Sequence, residues 1–451
     1  MIKSWTLAEI AAVTGGTVQG ESSLVISGIS TDTRKIQAGD LYVALKGERF
    51  NGHAFIEAAL AAGAVAALVD EDVDSRFPCV RVDDCLLALG LLASANRDLF
   101  TGPVVSVTGS AGKTSVKQLM TSVLSERFNT WMTQGNLNNH IGAPLTLLAL
   151  KPEHEAAMIE LGASGLGEIA YTARWVKPQV GIITNAAEAH IEGFGSLQGV
   201  VLTKGELLDF IQPGGTAVLN ADDVFYPQWA ERAQTQQLSF GFSEQADVRA
   251  LAIETTLSGS RFVLAFKGQQ WPAELPLPGV HNVRNALAVA AAAFALGMSG
   301  DEITSGLKKA VAVGGRLQWL DGVNGQRILN DAYNANPASV RAAIDVLKQA
   351  ENSWLVLGDM AELGADELAL HASVGAYARE QGIKHLVATG NRCRQATDAF
   401  GAGAHWFASR EEVVRFLQQQ TRDQDVLLIK GSRSAGMDEV VHALQKNTEE
   451  N

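Results

Sequence analysis

Residues Thr108 to Ser115 read TGSAGKTS, directly behind the apolar run Val104, Val105, Ser106, Val107. Small residues between a predicted strand and a predicted helix let backbone N–H groups close around a phosphate, and the helix N-terminus adds positive potential behind them. Thr108, Gly109, Ser110, Ala111 and Gly112 form this cradle, Lys113 brings an ammonium to the terminal phosphates of a nucleotide, and Thr114 offers a hydroxyl to the accompanying Mg²⁺. The helix is legible as well: Val116, Leu119, Met120, Val123 and Leu124 recur at i, i+3, i+4, i+7 and i+8, a single apolar face. The general phosphate-loop pattern has a glycine five positions before Gly112, where this chain has Val107, so the loop is a variant of its class.

A chain of 451 residues holds roughly two to four domains at about 150 residues each. Its net charge of −13 argues against a general nucleic-acid binder, since phosphate backbones are held by clustered Lys and Arg. Cys79, Cys85 and Cys393 are scattered without metal spacing, which indicates neither a disulfide framework nor zinc and fits a reducing cytoplasm. The longest apolar stretch, Asn285 to Gly297, is shorter than the about 20 residues of a membrane span and reads as a buried Ala-rich helix. Glu9 interrupts the N-terminal apolar residues before a signal-peptide core can form. The expectation is a cytoplasmic protein without membrane insertion.

Three α/β units follow from the alternation of apolar runs and helical periodicity: 1–82, 83–313 and 314–451. In the first, Thr6 to Val13 predicts a helix, Asp40 to Leu45 a strand, Ala54 to Ala62 a helix and Ala64 to Val69 a strand. Polar loops at Thr31 to Arg34 and at Lys46 to His53 read either as solvated turns or as a ligand site at strand ends.

In the central unit the polar loop Asn136 to Gly142 precedes a helix starting near Pro144. Strands Ala156 to Ile159 and Val180 to Thr184 end at Glu160 and Asn185, on the sheet edge that carries the cradle, so Glu160 is placed to meet the metal. His190 is a loop histidine or a ligand, and Lys204, on a helix running to about Ile211, is a solvated lysine or a chemically altered one. Asp247 to Thr255, Arg261 to Phe266 and Trp271 to Leu275 predict antiparallel strands. Asn282 and Asn285, one turn apart at a helix start, either cap the backbone or meet a purine edge.

The third unit predicts a parallel, dinucleotide-fold-like sheet. Strands at Ile328 to Asp331, Trp354 to Leu357, His385 to Ala388 and Val426 to Ile429 alternate with helices at Pro337 to Leu347, Glu367 to Gln381 and Glu411 to Gln420. No GxGxxG follows any of these strands, which argues against a nicotinamide cofactor.

TGSAGKTS resembles the cradle of the Mur ligases, the ATP-dependent amide-forming enzymes of bacterial cell-wall precursor synthesis, and the resemblance spans essentially the whole chain. GNLNNHIGAPLTLL (Gly135 to Leu148), HIEGFGS (His190 to Ser196), DAYNANP (Asp331 to Pro337), GDMAELG (Gly358 to Gly364) and KGSR (Lys430 to Arg433) look like one branch. That branch couples D-alanyl-D-alanine to UDP-N-acetylmuramoyl-tripeptide.

The resemblance implies a catalytic set of Lys113, Glu160, His190, Lys204 and Arg316. It makes Thr114, Glu160 and His190 metal ligands, and Lys204 a lysine carried as a carbamate that helps hold a second Mg²⁺. Asn282 and Asn285 match the segment at adenine, Arg316 the arginine at the phosphates and Asp331 the acid on the ribose. Thr31, Arg34, Lys46 and Gly47 fall where the uridine diphosphate end of the substrate is expected, and Asn136, Asn138 and Asn139 join the substrate-binding set. The first unit would then hold the uridylated peptide, the central one ATP and the third the dipeptide, in a monomer.

Two departures stand out: Gly314, Gly315, Arg316 replaces the family's frequent Pro-Gly-Arg, and Ser110 stands where many relatives carry threonine. A sister amide ligase of the Mur or folylpolyglutamate type is the alternative enzyme, disfavoured by GDMAELG. A nucleotide switch or scaffold is the alternative of another class, and the chain lacks the Asn-Lys-x-Asp guanine signature of such GTPases.

Overall fold

Buried parallel strands need helices on both faces, and this chain alternates the two through most of its length. The structure, a computed structural model, describes residues 1–47, 50–187 and 191–446. Its three main sheets have five, nine and six strands.

The five-stranded sheet runs Thr17–Gln19, Cys79–Arg81, Ala66–Val69, Asp40–Val43, Gly28–Ser30, with only the first strand antiparallel to its neighbour. The N-terminal helix is Leu7–Thr14, started by a capping box in which Thr6 and Glu9 satisfy each other's backbone N–H groups. The helix expected over Ala54 to Ala62 is shorter, Ile56–Ala61, behind a 3₁₀ turn at Gly52–Phe55. The Asn51 side chain takes the His53 N–H and tightens that first turn.

The nine-stranded sheet runs Thr130–Met132, Ala156–Glu160, Val104–Thr108, Val180–Ile183, Thr216–Asn220, Gln236–Gly241, Val248–Thr256, Gly259–Phe266, Gln269–Leu275. The first seven are parallel and the last two fold back as antiparallel hairpins, as the alternating sequence there predicts. Every residue of Val104–Thr108 is buried. The register sets Val107 opposite Glu160 on one side and Ile182 on the other, so the strand ends gather at the phosphate loop.

One face of this sheet is covered by the helices Lys113–Leu124 and Val280–Ala295, whose alanines let the second helix lie close. A second apolar core joins the five-stranded sheet to the other face through the helix Cys85–Asp98. Gly90 is required there, because a Cβ would stand 2.6 Å from the Trp175 indole. The helix carrying Lys204 ends at Gly205 instead of running to Ile211, and a 3₁₀ segment Glu206–Phe210 follows. The Glu206 carboxylate turns away to accept the Gly167 and Ala170 N–H groups at the start of Glu168–Val176.

The six-stranded sheet runs Gln318–Asp321, Arg327–Asp331, Asp425–Lys430, Asn352–Leu357, His385–Thr389, Ala404–Phe407, all parallel apart from the first. The last strand in sequence inserts next to the second and sets Lys430 opposite Asp331. No described helix is long and apolar enough to cross a membrane.

Candidate active site

Backbone geometry shapes the loop after Val104–Thr108. Gly109 adopts φ +147, where a Cβ would come within 1.9 Å of Thr184 Oγ1, and Gly112 adopts φ +86, where a Cβ would come within 2.6 Å of Asn285 Oδ1. Neighbouring strand ends brace the turn: Ser110 N donates to Asn185 O, Ala111 N to Asn185 Oδ1, and Thr184 Oγ1 to Ala111 O. Ser110 Oγ donates to Ala187 O and accepts the Ala187 N–H. Thr108 is fully buried and its hydroxyl has no hydrogen-bond partner among the described residues. Lys113 folds back to donate to Gly109 O at 2.6 Å. Desolvation holds its ammonium below the ordinary lysine pKa against the opposing pull of Glu160, with Arg316 adding to the lowering.

Beside the loop, three residues from distant segments meet. Thr114 Oγ1 donates to Glu160 Oε1 at 3.2 Å, and Arg316 Nη2 donates to Thr114 Oγ1 at 3.1 Å across 202 positions of sequence. Asn138 Nδ2 donates to the same Glu160 Oε1 at 2.8 Å, and the Glu160 N–H is held by Thr133 Oγ1. Glu160 Oε2 is buried beside the Lys117 ammonium, 3.3 Å away, and accepts no hydrogen bond among the described residues. The Thr114 hydroxyl beside Glu160 Oε1 at the end of the phosphate loop is an oxygen donor set that fits a hard divalent cation such as Mg²⁺. The Arg316 guanidinium also lies 4.5 Å from the Tyr333 ring.

Lys204 is 2% exposed, 3.5 Å from Ala163 O, with its ammonium 5.0 Å from the Phe194 ring centre. Burial, followed by the charge of Lys113, brings its pKa down to about 7. His190, the other expected metal ligand, lies outside the described residues.

The two asparagines at the helix start form a unit: Asn282 Nδ2 donates to Pro278 O, and Asn282 Oδ1 accepts from Asn285 Nδ2 at 3.3 Å. This leaves Asn285 Oδ1 against Gly112. Asp331 is gripped on both oxygens, by Lys430 Nζ at 2.5 Å and by the Leu317 N–H at 3.2 Å. Leu317 has φ +48, so the carboxylate braces a strained residue immediately after Arg316.

The first-domain residues stand apart from this cluster. Arg34 is exposed and paired bidentately with Asp32, and Thr31 is half-buried just before that turn. Lys46 is paired with Asp70 at 2.8 Å and Glu71 at 3.0 Å, and Gly47 lies under the Phe50 ring. Glu48 and Arg49 of the same loop lie outside the described residues. In the asparagine loop, Asn138 reaches Glu160, Asn139 Oδ1 caps the Ile141 and Gly142 N–H groups, and Asn136 O accepts from Asn138 N.

Sequence reasoning missed a cavity of about 430 Å³ at the C-terminal edge of the six-stranded sheet, lined by Arg392, Arg410, Ser409, Ser432, Ser434 and Asp359 among others. Arg392 is paired with Glu367 at 2.5 Å and Arg410 with Glu439 at 3.0 Å, while Arg410 Nε is buried without a partner among the described residues. Asp359, within GDMAELG, and Ser432, within KGSR, carried a signal, whereas Arg392 and Arg410 lie apart in sequence, each at the start of a different helix.

Among the described residues, two further clusters bring His, Asp and Cys together: His53, Asp70, Cys85 and Asp359, His371, Cys393. Both are hydrogen-bonded knots. His371 Nε2 accepts the Met360 N–H and Nδ1 donates to Glu367 O; His53 Nε2 accepts the Asp70 N–H and Nδ1 donates to Asn51 Oδ1. Neither ring retains a lone pair for a metal, and burial pushes both thiols above their ordinary pKa.

Comparison with known proteins places this geometry. Family models match residues 25–96 (Mur ligase family, catalytic domain), 107–293 (Mur ligase middle domain) and 315–433 (Mur ligase, glutamate ligase domain). The UDP-N-acetylmuramoyl-tripeptide–D-alanyl-D-alanine ligase of Escherichia coli (strain K12) is 42% identical over 98% of this chain and 99% of its own length. The chain belongs to the Mur ligase family. The ligase of the same name from Bacillus subtilis (strain 168) is 34% identical to this Mur ligase over 98% of the chain and 99% of the relative. Among solved structures, MurF from Acinetobacter baumannii superposes on this Mur ligase with a TM-score of 0.92 at 35% identity, covering 98% of each chain. The MurF ligase of Thermotoga maritima in complex with ADP gives 0.83 at 25% identity, covering 92% of this chain and 96% of that one.

Proposed function

We propose that this Mur ligase joins D-alanyl-D-alanine to the terminal carboxylate of UDP-N-acetylmuramoyl-tripeptide at the expense of ATP, a step in peptidoglycan precursor synthesis. The observation that carries the reading is the meeting of Thr114, Glu160 and Arg316 at the mouth of the glycine loop, together with full-length relatives of that name.

A carboxylate is a poor acyl donor because its oxygen leaves poorly. In-line transfer of the γ-phosphoryl group to that oxygen forms an acyl phosphate and ADP; the dipeptide amine then attacks the carbonyl, loses a proton and expels inorganic phosphate. Lys113, held ready on Gly109 O, and Arg316, held on Thr114, supply the positive charge that lets two anions approach. Thr114 and Glu160 are the residues that would hold Mg²⁺, with His190 as a further ligand. Bound Mg²⁺ neutralises charge on the phosphates.

Lys204 is read as a carbamate. Burial keeps its neutral amine populated near neutral pH, and addition of CO₂ to that amine with loss of a proton converts a cation into a carboxylate suited to a second ion. Asn285, beside Gly112, is read as the residue at the adenine and Asn282 as its support. Asp331 is read as the ribose partner. Thr31, Arg34, Lys46 and Gly47 serve the uridine diphosphate end, and Asn136, Asn138 and Asn139 the site side. The working units are 1–82, 83–313 and 314–451, acting as a monomer in the cytoplasm. For the dipeptide, the third unit offers Arg392 and Arg410 at the sheet-edge cavity as partners for a terminal carboxylate.

The test is incubation with ATP, Mg²⁺ and the uridylated tripeptide, with and without D-alanyl-D-alanine. Phosphate release that requires both peptides, with a product equal in mass to their sum less water, supports the reading; turnover indifferent to the dipeptide overturns it.

A further inference from the structure

Lys117 is only 3% exposed, although it lies on the helix that carries Lys113 and Thr114, one turn further along. Its ammonium donates to Gly135 O at 3.0 Å and stands 3.3 Å from Glu160 Oε2. Taking an ammonium out of water costs several kcal/mol, so a buried lysine is held only by well-placed partners. The reaction as derived has no use for this charge.

The two oxygens of Glu160 therefore have different surroundings. Oε1 faces the phosphate loop, in contact with Thr114 Oγ1 and Asn138 Nδ2, whereas Oε2 faces a fixed cation. Gly135 anchors that cation from the other side, at a turn with φ +52 that begins the asparagine loop. Lys117 and Asn138 thus hold the carboxylate from two directions.

We infer that Lys117 is a positioning residue that restricts Glu160 to metal ligation through Oε1 alone, and thereby favours Mg²⁺ over Ca²⁺ at this site. This rests on the reading of Glu160 as a residue that holds the metal. A divalent ion spanning both carboxylate oxygens would sit against the ammonium, and like charges at that range repel strongly in a desolvated site. Mg²⁺ is content with single carboxylate oxygens in a tight octahedron at about 2.1 Å, whereas Ca²⁺ takes about six to eight oxygens and readily engages a carboxylate through both. A carboxylate with one usable oxygen penalises the larger ion.

The experiment measures Mg²⁺ and Ca²⁺ dissociation constants of the full chain with saturating ADP, by displacement of Mn²⁺ followed by electron paramagnetic resonance. In Lys117→Met, Ca²⁺ is expected to gain about tenfold relative to Mg²⁺, the scale of a lost support residue beside a ligand. Lys117→Arg, which keeps a cation at Oε2, is expected to retain the parental ratio. If the methionine variant does not fold, Lys117→Ala, whose space admits water beside Oε2, is measured in its place with the same expectation. A folded Met or Ala variant with an unchanged Ca²⁺/Mg²⁺ ratio overturns the inference, whatever its melting temperature. Glu160→Gln separates the two layers: if it binds Mn²⁺ as the parent does, the metal-ligand reading itself fails, and if it loses Mn²⁺ while Lys117→Met keeps the parental ratio, only the role of Lys117 fails.

Discussion

Lys430 Nζ stands 2.5 Å from Asp331 Oδ2, on adjacent parallel strands whose register places the two residues opposite each other. The other oxygen of Asp331 holds the Leu317 N–H, so one carboxylate ties the last strand of the third sheet to the segment carrying Arg316.

Asp331→Asn leaves the Lys430 charge buried and the Leu317 turn less firmly held. Removing one partner of a buried pair costs about 3–5 kcal/mol, and a loss near the lower figure is expected in urea unfolding. The double variant with Lys430→Met should recover most of it. The single variant should also show a raised KM for ATP, because Arg316 follows Leu317.

The loop makes a sharper demand on backbone shape. Gly109→Ala would put a methyl 1.9 Å from Thr184 Oγ1 at φ +147. Strain of about 1–3 kcal/mol is expected, relieved by opening the loop. Nucleotide affinity, measured by calorimetry with ADP, should fall at least about tenfold, while circular dichroism remains that of the parent.

These sites differ in how far the sequence announces them. The phosphate loop is legible because strand, glycines, Lys113, Thr114 and helix are contiguous, and the central strands Asn352–Leu357 and Asp425–Lys430 of the third sheet are legible because each carries an unbroken four-residue apolar run. The edge strand Ala404–Phe407 escapes notice because its residues are exposed or half-buried and its run is only four residues long. Lys117 carries no signal in the sequence, because Gly135 and Glu160 close over it from distant segments. Arg392 and Arg410 converge only through the strand order of the sheet. The overlong helix prediction around Lys204 fails for a similar reason: Glu206 serves a helix nearly forty positions earlier.

His281 carries a pH dependence. Burial brings its pKa from 6.5 down to about 4, only partly offset by Asp331. The unfolded chain therefore binds a proton at a pH where the folded chain does not, and stability present above about 6.5 is lost as pH falls toward about 4. The thermal midpoint should decline across that window, and His281→Gln should flatten the decline; an identical slope in the variant would refute the assignment.

Lys204→Ala tests the carbamate. The variant should lack phosphate release in the presence of all substrates and regain part of it with millimolar acetate or propionate, whose carboxylates fit the vacated space. Full activity of the unsupplemented variant would remove the carbamate from the mechanism.

The proposed reaction turns on passage of the γ-phosphoryl group of ATP to the tripeptide's own carboxylate. UDP-N-acetylmuramoyl-tripeptide carrying ¹⁸O in both oxygens of its terminal carboxylate, turned over with ATP and D-alanyl-D-alanine, tests this directly by mass spectrometry of the released phosphate. The prediction is one ¹⁸O atom in each inorganic phosphate and one left in the new amide. Unlabelled phosphate accompanying amide formation would contradict it.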